Sequence, residues 1–165
     1  MTKACIGCGA CFAPEDGPTH PYMLSSSACF RRFTDALAAE YSDPALMATH
    51  RLTVDTFAIQ HPGKKSERRA VQSVALHLTR LTIQLSGSYS PQATNDVMLG
   101  LGKFKEELAY LVPPSKFTLT TADLAPHTGT ETHAAFVRDW AQATLEDWSA
   151  HKKTVQGWIA RWHNL

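Results

Sequence analysis

The chain has 165 residues, of which 44% are hydrophobic and 19% charged, a composition that fits one ordinary globular domain and excludes a disordered chain. A formal net charge of +1 supplies no strong field toward nucleic acid or an anionic membrane surface. No run of about 18 apolar residues occurs, so no membrane span is expected. The start MTKACIGCG lacks the apolar stretch of a secretory leader, which places the expected compartment in the cytoplasm, where thiols stay reduced.

Residues 1–24 carry Cys5, Cys8 and Cys11 and then the Gly/Pro-rich run APEDGPTHPY, a loop too short for its own core. SSSACFRRFTDALAAEYSDP reads as a first helix capped by one of Ser25 to Ser27, with Phe30, Phe33, Leu37 and Tyr41 on its apolar face. Asp43 then caps a second helix with Pro44 in its first position, and Pro62-Gly63 ends it. Leu46, Met47, Val54, Phe57 and Ile59 supply the apolar content of that second helix. In the third helix Ser66 is the expected cap, Val71, Val74, Leu78, Leu81 and Leu85 form the stripe, and Gly87 is the stop. A shorter helix lies within SYSPQATNDVMLGLGKFKEELAYL, weakened by Gly100 and Gly102. VPPSKFTLTTADLAPHTGT reads as a short extended piece or a loop on the surface. A long closing helix is expected over the rest, with Val137, Trp140, Thr144, Trp148, Val155, Trp158 and Trp162 at helical spacing. The expected fold is all-α. It is one domain over 1–165, a bundle of four to six helices with the cysteine-bearing loop 1–24 packed on it.

Four cysteines in a reduced chain point to metal or redox chemistry before disulfides. Cys5-Ile-Gly-Cys8-Gly has the form of a zinc knuckle: two thiolates two residues apart reach one ion in a tight turn, and glycines let the backbone approach the sulfurs. Cys29, at the start of the first helix, is the expected third ligand, because the helix dipole favours a thiolate there. If the first two helices run antiparallel, that start lies beside His61 at the end of the second. His50 lies roughly 16 Å further along the axis, so His61 is the expected fourth ligand and His20 the rival. A Cys₃His set is a closed structural zinc site, one Zn²⁺ per chain. Competing readings are an iron–sulfur cluster on all four cysteines, a thioredoxin-like redox pair and plain reduced thiols. The first lacks the Cys-Pro that compact ferredoxin patterns carry, and the second lacks a βαβ setting. Cys11 is then a spare beside Phe12, which packs on the bundle.

The eight histidines raise a second possibility. His50, His77 and His151 can converge inside a bundle, with Asp55 or Glu40 completing an open metal site. The blander expectation is that Asp55 pairs with Arg51, Arg80 or Arg31, and that each histidine is singly bonded; neither H-E-x-x-H nor Glu-x-x-His is present. His20 and Tyr22 read as a docked, proline-stiffened loop. Lys64, Lys65, Arg68 and Arg69 read as a solvated helix start.

The pieces CIGCGA, DGPTHPYMLSSSACF, EYSDP, HRLTVDTFAIQHPG, QSVALHL and WAQATLEDWSAHKKTVQGW resemble an uncharacterised bacterial family defined as a domain of unknown function. The resemblance runs through most of the chain, and HRLTVDTFAIQHPG preceded by EYSDP is its most specific part. It places Cys5, Cys8, Cys29, His50 and His61 on pattern positions, together with Asp55, His77 and His151. Phe30 stands where the pattern has Trp, and Cys11 lies outside it, which weakens the iron–sulfur reading. The family implies no activity. The expectation is therefore a zinc-binding helical module that binds a small molecule or a protein, nucleic acid being disfavoured by charge and a homodimer being open through the tryptophan-bearing helix. The alternative is a metal-dependent enzyme with a second, histidine-based site.

Overall fold

The computed structural model describes the backbone of residues 1–162 and the side chains of residues 1–161. It contains a small antiparallel ribbon, β1 (Lys3–Ala4) with β2 (Cys11–Phe12), and eight α-helices among the described residues. These are α1 (Ser27–Ser42), α2 (Pro44–Met47), α3 (His50–Gln60), α4 (Arg68–Ser86), α5 (Pro91–Lys103), α6 (Thr121–Leu124), α7 (His133–Asp147) and α8 (Lys152–Trp162). Six of them are eleven residues or longer, and the two four-residue pieces are turns that α-helical bonding prolongs. The all-α bundle expected from the sequence is what the chain forms. None of its described helices is long and apolar enough to cross a membrane.

Local chemistry sets the helix ends. The Ser26 hydroxyl accepts from the Cys29 N–H and starts α1, and Asp43 caps α2 with Pro44 at its first position. Gly87, at φ +67°, closes α4 in the left-handed conformation that a glycine adopts without cost. Glu67, rather than Ser66, occupies the N-cap position of α4, without a side-chain bond.

α3 is the central helix, packing on α1, α4 and α7. Leu52, Phe57, Ala58 and Ile59 are buried on it, and so are Thr53, Asp55, Thr56 and Gln60. The main core joins Cys5, Cys8 and Cys29 to Phe33, Phe57, Leu78, Leu81, Trp140 and Trp148. A second core, Ile83, Val97, Leu101, Phe104 and Leu108, lies between α4 and α5.

Three further expectations need correction. The second helix is split at Ala48-Thr49, where the chain turns between α2 and α3. Tyr41 is exposed rather than on the apolar face of α1. The closing helix is broken after Asp147 by a 3₁₀ turn over Ser149–His151. The break is pinned from outside: the Asp147 carboxylate accepts from the Thr118 N–H (2.8 Å) and hydroxyl (2.7 Å), and His151 Nε2 donates to the Val112 carbonyl (2.8 Å). The tryptophan stripe survives the break, since Val137, Trp140, Thr144, Trp148 and Val155 are all buried. Trp158 packs against both cores, and the side chain of Trp162 lies outside the described residues. No strand forms in 112–120; α6 follows, started by a capping box between Thr120 and Asp123.

Candidate metal centre

The ribbon β1–β2 brings the first two cysteines into a tight turn. The Cys5 N–H donates to the Ala10 carbonyl (2.8 Å) and the Gly9 N–H to the Cys5 carbonyl (3.0 Å). Gly9 sits at φ +79°, where a side chain would strain the backbone. Gly7 meets a different demand. A Cβ there would lie 2.5 Å from His61 Cδ2, 2.5 Å from the Leu24 carbonyl and 2.9 Å from that of Gln60. The knuckle therefore rests directly on the end of α3, and only a residue without a side chain permits that approach.

Cys29 is the third residue of α1, inside the turn where the helix dipole stabilises negative charge. The backbone N–H of Ser26 donates to Cys5 Sγ (3.3 Å), so the same helix start serves two sulfurs. His61 is the residue that terminates α3, at φ −125° and ψ 58°. Its Nδ1–H donates to the Phe57 carbonyl (2.7 Å) and its ring stacks on Phe57 at 3.8 Å. That bond fixes the ring and turns Nε2 toward the sulfurs.

The outcome is a cluster of four donor atoms, from Cys5, Cys8, Cys29 and His61, all within 4.8 Å of one another and all buried. Cys8 Sγ lies 3.7 Å from Cys29 Sγ, and Cys29 Sγ lies 3.2 Å from His61 Nε2. These four residues are close enough to bind one metal ion. The group also divides its protons unevenly. Hydrogen bonds from the Cys29 and Cys8 thiols hold the Cys5 thiol far below its ordinary pKa, while the same sharing, with burial, pushes Cys29 far up. Burial disfavours a charged His61, but the Cys5 and Cys8 sulfurs outweigh it and raise its pKa to about 9. The negative charge favoured on the Cys5 sulfur is one that a divalent cation would neutralise.

Thr121 completes the surroundings. Its buried hydroxyl is 2.9 Å from Cys29 Sγ and 3.8 Å from Cys8 Sγ. No sequence pattern marks this contact; the capping box at Thr120 marks only a helix start.

The rival residues lie elsewhere. His20 accepts from the Tyr22 and Met23 N–H groups through Nδ1 (3.4 and 3.3 Å), and burial, with the charges of Arg69 and His77, lowers its pKa. Tyr22 lies under Arg69, so this loop is docked as expected. Cys11 is exposed, and Phe12 packs against the core. The basic residues near the start of α4 are partnered rather than merely solvated: Lys65 covers Tyr110, Arg69 covers Tyr22, and Arg68 donates to the Leu108 carbonyl (2.7 Å).

His50, His77 and His151 do not converge. His50 Nδ1 meets Glu40 (2.9 Å), His77 Nδ1 meets Asp55 (2.7 Å), and His151 holds Val112. Fully buried Glu40 is also bonded by His133 (3.1 Å) and by the Thr53 hydroxyl. Fully buried Asp55 takes both Nε (2.9 Å) and Nη2 of Arg80, and Gln84 (2.6 Å). The Arg–Asp pair foreseen in the sequence is therefore the one with Arg80, not Arg51 or Arg31. Among the described residues, the Cys₃His cluster is the one group of three or more Cys, His, Asp or Glu residues whose donor atoms all lie within 4.8 Å of one another.

A helical bundle whose first 61 residues assemble a buried Cys₃His cluster defines an all-α protein with one candidate metal centre. More particularly, the chain belongs to DUF5946, a family of unknown function, whose model matches residues 3–149. Neither a curated protein nor a solved structure matches it.

Proposed function

We propose that the chain is a zinc-binding helical protein in which Cys5, Cys8, Cys29 and His61 hold one structural Zn²⁺. The observation that carries this reading is the buried set of four donors within 4.8 Å, supplied by three separate segments. Two features favour zinc. Three thiolates and an imidazole are a common structural zinc set. With Zn–S bonds of about 2.3 Å, tetrahedral geometry also separates sulfurs by roughly 3.8 Å, against 3.7 Å between Cys8 and Cys29. Four protein ligands would leave no position for water or substrate, which favours a clasp over a catalyst. The wider reading is a module that binds a small molecule or partner, stabilised by its ion. Residues 1–165 are read as one domain, since the main core runs from Cys5 to Val155 and Trp158 packs against both cores. A reducing compartment such as the cytoplasm suits a site built from free thiols. The enzyme alternative draws no support from His50, His77 and His151, which go to three different partners.

The test is elemental analysis of untagged protein, wild type and Cys8→Ser. About one zinc per chain is expected in the wild type, lost in the variant together with thermal stability. Metal that survives Cys8→Ser, or an unmetallated wild type, overturns the assignment.

A further inference from the structure

An open cavity of about 430 Å³ lies between α3, α4, α7 and the start of α5, on walls that contribute no metal-centre residue. Its charge is one-sided. Arg51 from α3 and Arg138 from α7 both line it, and no carboxylate does. In a chain of net charge +1, two cations without a lining counter-charge mark a local exception. Neither arginine has a hydrogen bond or ion pair among the described residues. Arg80 explains why: it takes Asp55, the acid one helical turn from Arg51, and so leaves Arg51 unpaired. Leu52 and Leu85 give the cavity an apolar wall, and Tyr89 adds a ring. Pro91, the first residue of α5, also lines it, so the positive end of that helix dipole adds to the field.

We propose that this cavity binds a phosphate monoester of a small apolar or aromatic group. A guanidinium presents a planar fork that pairs bidentately with oxyanions. A phosphate monoester has three terminal oxygens, enough to engage forks from two different helices at once. The ester group then lies on Leu52 and Leu85. The volume suits a small molecule rather than a polymer. This site is independent of the metal assignment, and each can fail without the other.

The experiment is calorimetric titration of phenyl phosphate into the full-length protein at low salt, for wild type, Arg51→Gln and Arg138→Gln. Both residues are exposed, so the variants are expected to melt as the wild type does. One saturable site per chain is expected, with affinity lowered roughly ten-fold or more by either substitution and weaker binding of inorganic phosphate, which lacks the apolar contact. The absence of saturable binding, or equal affinity in the wild type and both variants, overturns the proposal. Tighter binding of succinate than of phenyl phosphate overturns the choice of ligand class.

Discussion

At the scale of single residues, the Cys₃His cluster was largely legible. Cys5 and Cys8 announce themselves by spacing, and Cys29 by its place at a helix start. His61 followed from the antiparallel packing of two helices, which puts its Nε2 3.2 Å from Cys29 Sγ. Thr121 was not legible, because it reaches Cys29 across 92 residues of sequence and carries no motif of its own. Its hydroxyl lies within hydrogen-bond distance of the Cys29 sulfur, a position from which outer residues tune metal sites. Thr121→Val keeps the shape and removes the hydroxyl. It is expected to weaken zinc retention by about 10- to 100-fold without unfolding the chain, read by competition with a chromophoric chelator.

At the scale of elements, helix existence was readable and helix interruption was not. Ser26, Asp43 and Gly87 end their helices by local chemistry that a few neighbouring residues encode. The break after Asp147 is imposed by Thr118 and Val112, 29 and 39 residues before the groups they hold, so no local pattern foretold it. Asp55 shows the same long reach used for stability, since it fastens α3 to α4 through Arg80, His77 and Gln84. Asp55→Asn leaves Arg80 without its anion in a largely buried place. A loss of about 3 kcal/mol is expected, measured as the shift in a urea unfolding midpoint, with zinc content unchanged.

At the scale of the whole molecule, an ion held at the cluster would be coupled unevenly to the bundle. The main core includes the three cluster cysteines, whereas the core between α4 and α5 includes none. Chelation is expected to raise hydrogen exchange in residues 1–26 and the first turn of α1, and to leave α5 protected, as read by mass spectrometry. Acid should act in the same direction. Loading requires thiolates and a neutral imidazole, and protons compete for all four donors. With the pKa of His61 raised to about 9, a metal ion would have to displace a proton from its ring at neutral pH. Stability due to a bound ion is therefore expected at higher pH and lost as pH falls. Proton release on loading at pH 7, followed in weakly buffered solution, checks the sign.

The ligands also have an order along the chain. Cys8 and Cys29 are 21 residues apart, and Cys29 and His61 are 32, so an ion joining them closes only short loops. All four are available to one another once His61 has left the ribosome. Under the proposed assignment an ion would be captured while the C-terminal part of the bundle is still being made, and Thr121 would reach the cluster only afterwards.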